Sequence, residues 1–274
     1  MTSVVEIRDA SKVYRRGPEE VHALEHVTLA IASGEIVALV GPSGSGKTTL
    51  LNVLAGWEHL DRGEILWPAS SSIGSPAELP WSELAILPQS VGLIEELSVR
   101  ENVSLPGRFG HAMDEDRVDL LLKNLGLGGY AHRAPAEISI GEQQRTGLAR
   151  ALALSPRLLL ADEPTGHQDA VWAKGVFKVL RRAAQEGTAC LVATHNRELL
   201  QYADRIVGIR DGRLEDVAHD AAKEQVAVRR RSVGGDELPP GSQSERQPER
   251  QPERKKEWPT GQPAADDRGL WGPR

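Results

Sequence analysis

Two short stretches carry residues whose types and spacing can do chemistry. Gly41-Pro-Ser-Gly-Ser-Gly46-Lys47-Thr48 follows the pattern glycine, four residues, Gly-Lys-Thr, and reads as a loop that cradles phosphate. Its glycines let the backbone wrap closely around an anion and turn consecutive N–H groups inward. The helix that starts at its end adds a positive N-terminus. Lys47 is expected to neutralise the β- and γ-phosphates of a nucleotide, and Thr48 to offer its hydroxyl to Mg²⁺. The second stretch, Arg157-Leu-Leu-Leu-Ala161-Asp162-Glu163-Pro164, is an apolar run ending in two carboxylates. Acids at the C-terminal end of a buried strand lie where open α/β sheets bind ligands. There Asp162 is expected to hold Mg²⁺ through its water shell. Glu163 is expected to polarise an attacking water, the role of a general base.

Positioning these groups takes strands that alternate with helices. Apolar runs at Val4–Ile7, Val27–Ile31, Ile36–Val40, Leu84–Leu87, Leu158–Ala161, Ala189–Thr194 and Arg205–Ile209 read as strands. Helical spacing marks Lys47–Ala55, Asp114–Leu125, Glu142–Leu154 and Val171–Ala184. That alternation argues for an α/β layered core with a largely parallel sheet. Between about Ser90 and Ile138 helical patterns occur without a strand pattern, which places an inserted helical lobe there. The folded domain is read over 1–218. From 219 to 274 the chain is polar, charged and proline-containing, with Gln-Pro-Glu-Arg at 247–250 repeated at 251–254. So few aliphatic residues cannot offset the entropy of ordering, and this tail is expected to be disordered.

Composition bounds the function. The chain has 274 residues, with 33 basic against 39 acidic side chains and a net charge of −6, so it lacks the balance of a general nucleic-acid binder. Aromatic residues make up 4%, which leaves the core aliphatic. The single cysteine, Cys190, rules out an internal disulfide framework. Its setting, Ala189-Cys190-Leu191-Val192-Ala193, reads as a small core residue in a buried strand. That usage fits a reducing, cytoplasmic compartment. Met1–Glu6 shows no signal-peptide pattern, and no apolar run approaches the roughly 18–20 residues needed to cross a bilayer. Membrane contact is therefore expected only through a partner.

What narrows the reading lies just before the acidic strand. Ile138-Ser139-Ile140-Gly141-Glu142-Gln143-Gln144-Arg145 resembles the signature motif of ATP-binding cassette (ABC) ATPases, usually Leu-Ser-Gly-Gly-Glu/Gln followed by Gln-Gln-Arg. Gln89, in Leu87-Pro88-Gln89, is similar to that family's Q-loop, and His195, in Ala193-Thr194-His195-Asn196, to its switch histidine. Tyr14 falls where the family stacks an aromatic ring on adenine, and Asp169 falls in its D-loop. The resemblance runs from about residue 4 to 216.

The resemblance implies an α/β fold: a P-loop NTPase core with a mostly parallel sheet, a small antiparallel β region and an inserted helical subdomain at about 90–138. It implies ATP and Mg²⁺ as cofactors. It also implies a head-to-tail pairing of two ABC subunits, as a homodimer or a heterodimer, in which Ser139 and the Gly141 backbone of one subunit cap the γ-phosphate held by the other. Tyr14, Gly41, Ser43, Gly44, Ser45, Gly46, Lys47, Thr48, Thr49, Ser139, Gly141, Glu142 and Asp169 would bind nucleotide. Thr48, Gln89 and Asp162 would hold Mg²⁺. Glu163, His195 and Gln89 would form the catalytic set, with Gln89 also linking it to the helical lobe. On that lobe a separate membrane permease would dock, leaving this chain peripheral at the inner face of the cell membrane.

Lys12-Val-Tyr-Arg-Arg16, Val21-His-Ala-Leu24 and Glu101-Asn-Val-Ser-Leu-Pro106 look like the lipoprotein-releasing and macrolide-exporter branch, which points to export or extraction. Two positions depart from the family pattern. Ile140 replaces the first glycine of Ser-Gly-Gly, and Gln168 stands where the D-loop usually has leucine. A β-branched residue at 140 is expected to hinder close approach to the γ-phosphate and slow turnover. The alternatives are a module that senses ATP without useful turnover and a cassette protein acting on ribosomes or DNA. Intact Glu163 and His195 count against the first, and a single cassette without sustained heptads counts against the second.

Overall fold

The computed structural model describes residues 3–67, 76–109, 113–166 and 168–216; the tail read from residue 219 lies outside the described residues. In chain order the strands are β1 (Ser3–Arg16), β2 (Glu19–Ala32), β3 (Ile36–Val40), β4 (Arg62–Leu66), β5 (Leu84–Leu87), β6 (Leu158–Asp162), β7 (Ala189–Ala193), β8 (Arg205–Arg210) and β9 (Arg213–Asp216). The helices are α1 (Lys47–Leu54), α2 (Val99–Ser104), α3 (Glu115–Asn124), α4 (Ile140–Leu152) and α5 (Ala170–Gln185).

Short, continuous apolar runs suit strands covered on both faces. Such runs form most of the six-stranded sheet, in the order β5-β6-β7-β3-β8-β9. Every pairing from β5 to β8 is parallel, and only β9 returns antiparallel to β8. The period of two sorts each strand between two cores. Ile36 and Ala38 of β3, Leu159 and Ala161 of β6, and Cys190 and Val192 of β7 pack with α3, α4 and α5. Val37 and Leu39, Leu158 and Leu160, and Ala189 and Leu191 pack with α1 and the second sheet. Cys190 is fully buried, and burial pushes its thiol up to about 12, so it is a core residue and not a nucleophile.

The second sheet is antiparallel, in the order β2-β1-β4. Here the strands outrun the apolar stretches that mark them. The outer parts of β1 and β2 carry Lys12, Arg15, Glu19, Glu20 and His22, and they pair as a largely solvent-facing ribbon. β4 opens on Arg62-Gly63-Glu64 and has no apolar pattern until Ile65.

Between β5 and β6 the chain is helical, with α2, α3 and α4 separated by short 3₁₀ turns. Ser98, Asp114 and Ser139 cap the three helices, and Glu101 and Glu142 complete capping boxes at α2 and α4. The Ser139 box explains why α4 begins two residues earlier than its apolar periodicity suggests. Gly126, just past α3, is left-handed at φ +68°, and a Cβ there would overlap the Trp172 ring of α5. That conformation alone costs a non-glycine residue about 1–2 kcal/mol, so conformation and space both demand glycine at this turn. Gly147 in α4 plays the same steric part against Val91, seating the loop that follows Gln89.

Candidate nucleotide site

The glycine loop joins the C-terminal end of β3 to α1, and its shape is dictated by close approach. A Cβ on Gly41 would overlap the carbonyl oxygen of Ile209, and one on Gly46 would overlap that of Ala23. Gly44 and Gly46 are also left-handed, at φ +79° and +108°. The loop is thereby pressed into the sheet ends, and the Ser45 N–H closes it on the Pro42 carbonyl at 3.3 Å. Lys47 curls back over it, Nζ donating to the carbonyls of Gly41 and Pro42, each at 2.8 Å. Ser45 is buried, and its Oγ has no hydrogen-bond partner. This oxygen lies on the packed side of the loop, 2.7 Å from where a Cβ on Gly41 would stand, so it too holds position 41 to glycine. Ser43 and Thr48 are exposed, and Thr49 is half-buried on α1.

The acidic pair sits where the sequence places it, at the end of β6. Thr48 Oγ1 donates to Asp162 Oδ2 at 2.8 Å, which joins the loop directly to the strand. Burial raises the Asp162 carboxyl above the usual aspartate range, and the charge of Glu163 adds to this. The Thr48 hydrogen bond and the Lys47 ammonium oppose it. A desolvated carboxylate beside a hydroxyl is a fitting donor pair for a hard cation. Among the described residues no group of three or more His, Cys, Asp or Glu side chains could hold a metal ion. A cation at this place would therefore be shared between the protein oxygens and the phosphates.

Glu163 follows in the left-handed region, at φ +50°. Strain of this kind in a non-glycine residue persists only where neighbours over-determine it. Its N–H donates to the Ala193 carbonyl at 2.9 Å, and its own carbonyl accepts from Gln144 Nε2 at 2.7 Å. The carboxylate faces His195: Nδ1 lies 2.8 Å from Oε1, and the His195 N–H donates to Oε2 at 3.4 Å. A carboxylate only accepts, so Nδ1 carries the proton in this contact. The imidazole is 74% exposed and Glu163 only 14%, so the histidine lies over the acid on its solvent side.

Among the described residues, the rest of the predicted set makes no hydrogen bond or ion pair to these, although Gln89 follows β5 beside the end of β6, where Leu87 pairs with Ala161. Ser139 caps α4, and Ile140, its first helical residue, points a 63% exposed side chain outward. Burial pushes the Glu142 carboxyl up, but hydrogen bonds from Ser139 and Tyr130 outweigh this and hold it below its ordinary value. Among the described residues, no hydrogen bond or ion pair joins Ser139, Gly141 or Glu142 to Gly41–Thr48. Gln89 is exposed two residues beyond β5. Tyr14 is half-buried on β1, with the Lys12 ammonium 5.3 Å from its ring centre. Asp169 caps α5, accepting from the N–H groups of Val171 and Trp172 at 2.9 Å. Sequence reasoning missed the support that Gln144 gives Glu163. Gln144 stands within the signature segment, yet nothing in its type or position says which carbonyl it will reach.

A glycine loop closing a central parallel strand, tied through a threonine to a buried aspartate with a glutamate beside it, defines a P-loop nucleoside triphosphatase. A sequence model of the ABC transporter family matches residues 24–166. The lipoprotein-releasing system ATP-binding protein LolD 2 of Caulobacter vibrioides is 38% identical over 220 residues, covering 77% of this chain and 96% of that protein. The macrolide export ATP-binding/permease protein MacB of an Azoarcus strain is 37% identical over 78% of this chain, which spans only 34% of that longer protein. Among solved structures, the ATP-binding cassette MJ0796, in a dimeric post-hydrolysis state bound to ADP and Pi, superposes with a TM-score of 0.70. It shares 30% identity, and the match covers 78% of this chain and 99% of that one. A second dimeric structure of the same cassette gives 0.68 at 31% identity, covering 77% of this chain and 96% of that one. The chain belongs to the ABC transporter family, as an ATP-binding subunit with the ATPase cassette fold.

Proposed function

We propose that this chain hydrolyses ATP as one member of a head-to-tail pair and passes the closing of that pair to a separate membrane permease, driving export or extraction. The observation that carries the reading is the joined pair of contacts, Thr48 to Asp162 and His195 to Glu163, at the mouth of the glycine loop. Amides of Gly41–Thr48 bind the β- and γ-phosphates, and Lys47 exchanges the Gly41 and Pro42 carbonyls for phosphate oxygens. Thr48 and Asp162, with Gln89, hold Mg²⁺, which supplies neutralising charge on the phosphates. Glu163 takes the proton of the attacking water, and His195 reaches from its exposed position to the γ-phosphate. Tyr14 stacks on adenine.

The second subunit contributes Ser139 and the Gly141 backbone. Ser139 caps α4 and, among the described residues, neither it nor Gly141 is bonded to the glycine loop of its own chain, which leaves this turn available to a second subunit. The near full-length match to LolD 2 supports the lipoprotein-releasing branch and a permease on a separate chain. No helix among the described residues is long and apolar enough to cross a membrane.

The test is phosphate release from Mg-ATP by the purified full chain, with the parent beside Lys47→Ala. The parent is expected to turn over and bind ATP, and the variant to lose both. A parent chain that binds no ATP sinks the reading. The same assay weighs Ile140. Its exposed side chain adds bulk to the capping turn, so Ile140→Gly is expected to raise turnover. An unchanged rate, with the permease present, removes that handicap.

A further inference from the structure

The hydrolytic scheme leaves one well-placed side chain unused. Gln168 Oε1 accepts from Arg145 Nη1 at 2.5 Å, and Gln168 Nε2 donates to the Gly141 carbonyl at 2.7 Å. The amide can sit only one way round, because a guanidinium only donates and a carbonyl only accepts. A carbonyl has two lone pairs, so this bond to Gly141 adds to the helical ladder of α4 without replacing a rung. Arg145 lies one turn further along α4 and is buried, its guanidinium 4.2 Å from the ring centre of Trp172. That ring fills the space above Gly126, and Asp169, next to Gln168, caps the helix that carries it. Gln168 thus closes a continuous chain of contacts through the start of α4, the segment before α5, α5 itself and the turn after α3.

We propose that Gln168 is a positioning residue for subunit pairing. It locks the turn bearing Ser139 and Gly141 to the segment bearing Asp169, so that both meet the second subunit as one rigid surface. The inference rests on the head-to-tail reading above. The leucine usual at this position in the family can make neither bond. The two departures of this sequence therefore meet on one turn: Ile140 enlarges the turn, and Gln168 holds it in place. Arg145 depends on the same contact. Burial pushes its pKa down, the charges of Glu142 and Asp169 oppose this, and Gln168 supplies its directed acceptor.

The experiment compares Gln168→Glu and Gln168→Met with the parent, all as full chains carrying Glu163→Gln so that ATP persists. It reads binding of a fluorescent ATP analogue, ATP-driven dimerisation by sedimentation, and Tm. Gln168→Glu keeps an acceptor for Arg145, which preserves stability, but sets a carboxylate oxygen against the Gly141 carbonyl. It is expected to keep parental Tm and nucleotide affinity while weakening the dimer about tenfold or more, equivalent to about 1.4 kcal/mol. Gln168→Met is expected to weaken the dimer similarly and to lose Tm as well, because Arg145 loses its acceptor. Parental dimerisation in both variants overturns the proposal. So does a Gln168→Glu chain that pairs poorly only in step with a lost Tm, since that is plain structural support. A parent that binds ATP yet never pairs defeats the head-to-tail reading itself and takes this proposal with it.

Discussion

Glu163→Gln is expected to reduce phosphate release by about 10²–10⁴-fold, the usual contribution of a positioned general base, while ATP remains bound. The substitution is almost isosteric, and the geometry around residue 163 does not depend on its charge. Main-chain bonds to Ala193 and Gln144 set the left-handed backbone, and the protonated His195 Nδ1 can still donate to an amide oxygen. What disappears is a basic oxygen able to take a proton from water. With ATP bound and unspent, the closed pair should accumulate and elute from gel filtration as an ATP-dependent dimer. Turnover close to that of the parent would remove Glu163 from its assigned role and direct attention to His195 or to the phosphate itself as base.

Asp162→Asn should abolish Mg-dependent turnover and stabilise the nucleotide-free chain. Asparagine keeps an acceptor for Thr48 but removes a charge that burial disfavours. Because the Asp162 pKa is raised on folding, the folded chain holds this proton to higher pH than the unfolded chain does. The stability this group contributes is fully present below the ordinary aspartate range and is lost as pH rises through the folded value. Above that folded value, where the carboxylate is charged in both states, the penalty applies in full. The variant should therefore melt higher than the parent there and lose its advantage in acid, where the parent carboxyl is protonated too. For a domain of this size, each 1 kcal/mol relieved corresponds to about 2–4 °C in Tm. Matched melting scans at two pH values check this. A lower Tm at neutral pH would mean that the Lys47 and Thr48 interactions outweigh burial.

Much of this architecture is legible in the sequence where one physical pressure dominates. Ile36–Val40 and Leu84–Leu87 are read with the bounds the structure shows, because strands covered on both faces must be uninterruptedly apolar. The long ribbon of β1 and β2 is read only at its buried ends. Its outer half is held by cross-strand bonds among polar residues, and pairing of that sort leaves no hydrophobic period to detect. The glycine loop and the Asp162–Glu163 pair are legible because phosphate chemistry demands particular residue types at fixed spacing. The bond from Gln144 to the Glu163 carbonyl, the Gly126–Trp172 contact and the Gln168 clamp are not. Each joins residues 19 or more positions apart through an ordinary side chain, and nothing local in the sequence selects the partner.

The strand order bears on how the protein is made. β3, which leads into the glycine loop, is complete by residue 40, yet both strands that flank it, β7 and β8, lie between residues 189 and 210. Joining them closes a loop of roughly 150 residues, and such distant parallel pairings form slowly. While the chain is still emerging from the ribosome, β3 has neither lateral neighbour, and the Ile209 carbonyl that presses on Gly41 does not yet exist. The glycine loop therefore takes its observed shape only once β8 has been made, and a nascent fragment stopping short of β7 carries the whole loop sequence without either strand that flanks β3.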